Sequence, residues 1–334
     1  MRLMILGAAG MIGRKLTNRL ITKGEILQSN DELILHDIIT PPMPEGHKAT
    51  CLSGDLSDSS IATILASYAP DIIFHLASVV SGEAEADFDK GWAVNMGGNH
   101  HLCEALRAQH EQSAGTYRPR VIFASSIAVF GPPFPEAAGI DDHHSCRPQT
   151  SYGAQKAISE LLFADYARKG FIEAINIRLP TICVRPGKAN AAASSFFSGI
   201  IREPLQGESA RLPVSDTVRH WHASPRSAAR FFTHAAQIDT QLIHPSLTLN
   251  MPGLSVTVAD QIEALRAVAG EACVAHIQPD FDETISAIVQ SWPQRFNPEQ
   301  ALSLGFRAET DFKQIIEIFI EDDLPNHFKA NYQS

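Results

Sequence analysis

Apolar positions in the first half of the chain follow two alternating rhythms. Short, nearly continuous runs at residues 2–6, 33–35, 71–75, 120–124 and 173–179 have the character of strands buried on both faces. Between them, apolar residues recur on one helical face. Met11, Ile12, Leu16, Leu20 and Ile21 mark a helix over 11–23 that stops at Gly24, and similar patterns cover 58–68, about 87–109, and 152–169. A Pro-rich loop occupies 40–44. Strand and helix in alternation predict an α/β fold: a doubly wound Rossmann sheet, parallel, with right-handed crossovers and helices on both faces.

After Pro180 the texture changes to turns and small residues, most densely over 185–195. Ser224 is placed as the N-cap of a further helix with Pro225 in its first turn, and 247–250 reads as one more strand. Short helices and loops then alternate up to a helix at 312–321. The expected organisation is a dinucleotide-binding domain over 1–180 to which the chain returns at about 218–251. Residues 181–217 and 252–334 would form a smaller C-terminal substrate lobe. No fixed-period repeat or low-complexity linker interrupts this plan.

Composition narrows the function classes. With 334 residues, 44% hydrophobic and 19% charged, the chain has the make-up of a folded globule. A net charge of −10 disfavours a nucleic-acid partner, because displacing counterions from phosphates needs clustered Lys and Arg. Five scattered cysteines without a C-x-x-C pair suggest free thiols rather than a disulfide framework or structural zinc. No apolar run reaches the ~18 residues of a membrane span, and the first residues lack a signal-peptide pattern. A soluble cytoplasmic protein, bound neither to membrane nor to nucleic acid, is the expectation.

The string GAAGMIG, from Gly7 through Gly10, Met11 and Ile12 to Gly13, lies between the first strand and the first helix. Glycines there permit a tight turn and close backbone approach, and the helix N-terminus offers N–H groups to a pyrophosphate. The spacing is G-x-x-G-x-x-G rather than G-x-G-x-x-G. Asp37 ends the second strand, where a carboxylate accepts both adenosine-ribose hydroxyls and repels a 2′-phosphate, so NAD is expected over NADP. Asp55, before Leu56, either reaches the adenine or caps the next helix. Leu76 and the small Ala77 follow the strand ending at His75, which reads as a packing residue.

Tyr152 and Lys156 stand one helical turn apart, so they share a face. A phenol ionises near ~10, too high for a base at neutral pH, and a neighbouring ammonium favours the phenolate. Ser126 closes the strand that carries Phe123 and Ala124, where its hydroxyl could hold the substrate oxygen that loses a proton. His143, His144, His220 and His222 lack a third spaced ligand, so no metal is expected.

In their order along the chain, the glycine string, Asp37, Asp55-Leu56, His75-Leu76-Ala77, Asn95, Ser126 and Tyr152/Lys156 resemble the extended short-chain dehydrogenase/reductase family, also called the NAD-dependent epimerase/dehydratase family. The resemblance implies Tyr152 as acid–base, Lys156 tuning it and binding ribose, Ser126 orienting substrate, and Asn95 linking the network to water. It also implies Pro180 among the cofactor contacts, and a homodimer through the helices that carry Asn95 and Tyr152. Longer strings, including FASSIAVFGPPFPEA, RLPTICVRPGKANAAASSFF and WHASPRSAAR, resemble the D-erythronate dehydrogenase group, which implies oxidation of a four-carbon sugar acid at C2 with NAD.

Dehydratases of the family carry an Asp-Glu pair where this chain has Ile127 and Ala128, which cannot move protons. A nucleotide-sugar 4-epimerase that retains NAD is the alternative, weakened by the run RHWHASPR at 219–226 where such enzymes tend to have Arg-Asp-Phe. A silent dinucleotide sensor is disfavoured by the Tyr/Lys pair. A sugar acid needs a cationic carboxylate site and hydroxyl partners. Candidates are Arg185, Lys188, Asn190, Ser194 and Arg226 in the central segment, with Ser81 and Glu83 after the strand that ends at His75. One of the arginines would pair with the carboxylate, and Thr181 or Asn190 would read a hydroxyl.

Overall fold

The computed structural model describes residues 1–135, 139–187, 193–243 and 245–329. The first strands and helices follow the apolar rhythm closely. They are β1 (Arg2–Leu6), β2 (Glu32–Asp37), β3 (Ala49–Ser53), β4 (Ile72–His75), β5 (Arg120–Ser126) and β6 (Glu173–Leu179). The helices among them are α1 (Met11–Lys23), α2 (Ser59–Ser67), α3 (Ser81–Ala86), α4 (Phe88–Trp92), α5 (Asn99–Gln112) and α6 (Ser151–Arg168). Among the described residues, seven strands form one parallel sheet in the order Thr248–Asn250, β6, β5, β4, β1, β2, β3. The order reverses beside β1, so the ends of β1 and β4 form the switch point at which such sheets bind ligands.

Local chemistry sets the helix ends. Gly24 stops α1 in the left-handed region at φ 59°, Asp58 caps α2 by accepting from the Ser60 amide, and Thr150 caps α6 by accepting from the Gly153 amide. Met4, Leu6, Ile34, Ile73, Val121, Phe123 and Phe163 fill one face of the sheet. Each such side chain contributes roughly 1.5–3 kcal/mol by leaving water.

The chain divides into two compact units. The first comprises Met1–Val129, Cys146–Leu179 and Ala229–Met251, and the second Phe130–Ser145, Pro180–Ala228 and Pro252–Ser334. This differs from the sequence expectation in two places. Arg219–Ala223 is a strand of the second unit, antiparallel to Leu254–Thr257 and parallel to Thr181–Ile182, so the return starts near Ala229 rather than 218. Phe130–Ser145 also joins the second unit, because Ile140 exchanges backbone hydrogen bonds with Arg295 and Asn297. The core of that unit includes Phe197, Ile200, Leu265, Ile315 and Phe319.

The helix expected over 87–109 is broken. Asp87 ends α3 and caps α4, accepting from the Lys90 amide, and a π-helical turn at Ala93–Gly98 precedes α5. Helical periodicity alone could not show the extra residue that a π turn inserts. Ser224 does cap Pro225–Ala235, accepting from the Ser227 amide at 2.9 Å.

Candidate active site

The glycine string has the geometry of a dinucleotide cradle. Gly7 has φ +87°, and a Cβ there would lie 2.7 Å from the Ala77 nitrogen; one on Gly13 would lie 2.1 Å from the Gly7 oxygen. These two glycines therefore bring the loop and α1 against β1 and the end of β4. Gly10 occupies the N-cap position without a side-chain cap, and the first turn of α1 holds no acidic residue. Its amides are left for an anion, with the positive end of the helix dipole behind them. Asp37 accepts from the Ala9 amide at 2.8 Å and the Ile38 amide at 2.7 Å, and each oxygen retains a lone pair for a ribose hydroxyl. These residues fit an NAD adenosine and pyrophosphate.

The flanking candidates have more local roles. The Asp55 carboxylate accepts from the Ser57 amide at 2.9 Å, and the cap of α2 is Asp58, so Asp55 braces a turn and does not cap the helix. Leu56 is buried against Gly98, where a Cβ would lie 3.0 Å from the Leu56 oxygen. The Leu76 amide donates to the Leu6 oxygen, continuing the ladder past β4. His75 is buried, hydrogen-bonded to Asn99 and edge-on to Phe123 and Phe163; burial, then the Lys156 charge, push its pKa down to about 3, so it is neutral.

Asn95 sits in the π turn with all its amide valences engaged. Its oxygen accepts from the Ser78 hydroxyl and the Val79 amide, and its nitrogen donates to the Val79 oxygen and to Gln155. The side chain braces the loop after β4 against α6.

Tyr152 and Lys156 lie in the first turns of α6. The Lys156 ammonium donates to the Ala124 oxygen at 2.8 Å and lies 4.6 Å from the Phe123 ring centre and 5.4 Å from that of Tyr152. It is buried, and desolvation pushes its pKa down to about 7 against an upward pull from Glu160. Gly153 lets α6 come this close, because a Cβ there would lie 2.2 Å from the Ala128 oxygen. Ser126, at the end of β5, accepts from the Ala128 amide at 3.1 Å, which leaves its O–H able to donate or turn toward a ligand. Ile127 is buried and Ala128 half-buried, and neither can transfer a proton.

The sequence reading missed the layer under this pair. Glu160 accepts from the Ser125 hydroxyl and pairs with Arg178 at 2.7 Å. The available signals were Glu160 one further turn along α6 and a charged Arg178 between Ile177 and Leu179 in β6.

The remaining substrate candidates are spread more widely. Ser81 opens α3, and the neighbouring Glu83 pairs with Lys90 at 2.6 Å. In the second unit, Pro180 and Thr181 follow β6, and the Thr181 hydroxyl is 2.6 Å from His220 Nε2. Arg185 is held at three points: its amide donates to the Ser198 hydroxyl, its oxygen accepts from Arg202, and its Nε donates to the Ile182 oxygen. Ser194 precedes the helix Ser195–Leu205 without capping it. Lys188 and Asn190 lie outside the described residues.

Arg226 contacts Glu321 at 2.7 Å and Asp322 at 2.5 Å. A substrate carboxylate would have to compete with these two for its guanidinium. His220 and His222 lie on the strand Arg219–Ala223. Both are buried with Phe197, and burial pushes the His220 pKa down to about 3. Among the described residues, no group of three or more His, Cys, Asp or Glu is arranged to hold a metal, and no helix is long and apolar enough to cross a membrane.

The chain is similar to known proteins along most of its length. The model of the NAD dependent epimerase/dehydratase family matches residues 3–244. A D-erythronate dehydrogenase of Haemophilus influenzae is 42% identical over 97% of this chain and 100% of its own length. One from Cupriavidus necator is 41% identical over 96% of this chain and 98% of its own length. A solved Agrobacterium tumefaciens structure, described as a nucleoside-diphosphate-sugar epimerase, is 50% identical. It covers 97% of this chain and 94% of its own, with a TM-score of 0.92. A GalE-like L-threonine dehydrogenase of Cupriavidus necator, 21% identical and covering 100% of both chains with a TM-score of 0.81, shares the fold.

Proposed function

The chain belongs to the NAD-dependent epimerase/dehydratase family, and from that premise we propose that it oxidises a small sugar acid, D-erythronate, at C2 to the 2-oxo acid with NAD. The observation that carries the chemistry is the buried Lys156 ammonium beside the Tyr152 ring, on a helix pressed against the end of β5. The substrate class rests on the two D-erythronate dehydrogenases, similar along nearly the whole of both chains.

The residues divide the work as follows. Ser126 holds the C2 hydroxyl by hydrogen bonding. Lys156 favours the Tyr152 phenolate, which accepts the hydroxyl proton as the carbonyl forms. Bound NAD would supply the acceptor for the hydride released from C2. Gly7, Gly10, Met11, Ile12 and Gly13 would hold its pyrophosphate, and Asp37 its ribose. In the second unit, Arg185, whose Nε is held by the Ile182 oxygen, is the candidate cation for a substrate carboxylate, and Thr181 a candidate partner for a hydroxyl.

The exposed apolar residues Phe88 and Trp92 on α4 and Ile158 and Leu161 on α6 suit a homodimer of this chain. Five free thiols suit a reducing cytoplasm.

The Agrobacterium tumefaciens structure, by its description, favours a second reading, a nucleotide-sugar 4-epimerase that retains NAD. Mixing the protein with NAD and either C4 sugar acids or nucleotide sugars separates the two. Accumulation of NADH with D-erythronate supports the dehydrogenase. Epimer formed from a nucleotide sugar without net NADH supports the epimerase and overturns the first reading.

A further inference from the structure

Tyr152, Lys156 and Glu160 follow one another at single-turn intervals on α6, so they form a column on one face. Glu160 is buried and locked from two strands. The Ser125 hydroxyl of β5 donates to its Oε1, Arg178 Nε of β6 donates to the same oxygen at 2.9 Å, and Arg178 Nη2 donates to Oε2 at 2.7 Å. Arg178 is fixed in turn by Asn250 Oδ1 at 3.3 Å and Cys146 Sγ at 3.0 Å. Burying two ions is costly, and apolar residues of similar volume would fill the same space without that cost, so the pair calls for a role beyond stability.

The groups that face the Lys156 ammonium define that role. On α6 they are Tyr152 and Glu160. The β5 strand presents the Ala124 oxygen and the Phe123 ring, β4 the neutral His75, and β6 the Arg178 cation that partners Glu160. Of these, Glu160 supplies the negative charge that favours an ammonium in a site where burial opposes it. We propose that Glu160, locked by Ser125 and Arg178, is a positioning residue whose charge keeps Lys156 protonated beneath Tyr152. This rests on the reading of Tyr152 and Lys156 as the reacting pair.

The consequence is a specific change in pH profile. The active form, phenolate with ammonium, shares its proton count with an inactive form, phenol with neutral amine. Weakening the hold of Lys156 on its proton shifts the balance to the inactive form wherever the pair carries one proton. At lower pH, where both groups are protonated, the phenolate population depends on Tyr152 alone and stays nearly the same. In the Glu160→Gln variant, a loss of one pKa unit at Lys156 lowers the kcat plateau about tenfold and moves the acid-side breakpoint down by about one unit. The wild-type and variant profiles then converge at low pH.

The test is the kcat–pH profile for D-erythronate at saturating NAD, for wild type, Glu160→Gln, Glu160→Asp and the double variant Glu160→Gln/Arg178→Met. The double variant leaves no unpaired buried ion and so guards against failure to fold. The expected result is a lowered plateau with convergence at low pH in the Gln variant and the double variant, with Glu160→Asp restoring the plateau. An unchanged profile, or a loss equal at every pH, overturns the proposal. A parallel Tyr152→Phe measurement separates the two ideas: activity retained there overturns the underlying reading, whereas an inactive Tyr152→Phe with an unchanged Glu160→Gln profile overturns only the role of Glu160.

Discussion

Gly153 lies so close to Ala128 that a Cβ added to it would be 2.2 Å from the Ala128 carbonyl oxygen. The neighbour is backbone, which cannot swing aside as a side chain would. The first turn of α6, with Tyr152 in it, is therefore set against the residues after Ser126 by the absence of one methyl group. Gly153→Ala is expected to cost about 1–3 kcal/mol in stability and to reduce kcat roughly 100-fold, because the phenol is displaced from its working position. Thermal melting and initial rates check this, with NAD affinity close to wild type because Gly7–Gly13 and Asp37 are untouched. A kcat within twofold of wild type would contradict it.

Lys156 makes stability depend on pH in a defined direction. Burial lowers its pKa from 10.5 to about 7, so between those values the unfolded chain binds a proton that the folded chain does not. Stability contributed by this group therefore rises as pH rises through that window, and below about 7 the buried charge opposes folding in full. Lys156→Met removes the charge. Its melting temperature relative to wild type should be higher at pH 6 than at pH 9, by about 2–4 °C for each kcal/mol. A difference that is the same at both pH values, or larger at pH 9, would contradict the assignment.

The two arginines of the second unit should respond differently. Arg185→Met removes a pre-ordered cation and is expected to raise KM for the sugar acid roughly 10–100-fold, the loss of one charge-assisted interaction. Arg226→Met breaks a half-exposed pairing with Glu321 and Asp322 and should leave KM unchanged, with about 1 kcal/mol or less lost in stability. Steady-state kinetics with the acid as variable substrate distinguish them. Equal KM values for wild type and Arg185→Met would remove Arg185 from the substrate site.

Much of the first unit was legible because its chemistry is local. Apolar runs mark strands that are buried on both faces, Gly24 and Thr150 end or begin helices by their own conformations and side chains, and Asp37 falls where β2 ends. What was not legible depends on contacts distant in sequence. The π turn that points Asn95 at Val79 and Gln155 has ordinary helical periodicity. Arg219–Ala223 alternates little and is fixed by pairing with Leu254–Thr257, which moved the boundary between units. Arg226 looked available because its partners lie almost a hundred residues further along, in a different helix. The Ser125–Glu160–Arg178 layer unites β5, α6 and β6, and no single segment shows it.

The central claim is that Tyr152 takes the proton from the substrate alcohol. The most direct test is Tyr152→Phe, assayed for NADH formation from D-erythronate and for NAD binding on the same preparation. The account predicts turnover lower by at least about 1,000-fold, since both the base and its ordered hydrogen bond are lost, with NAD bound nearly as tightly as by wild type. Turnover within tenfold of wild type would contradict it.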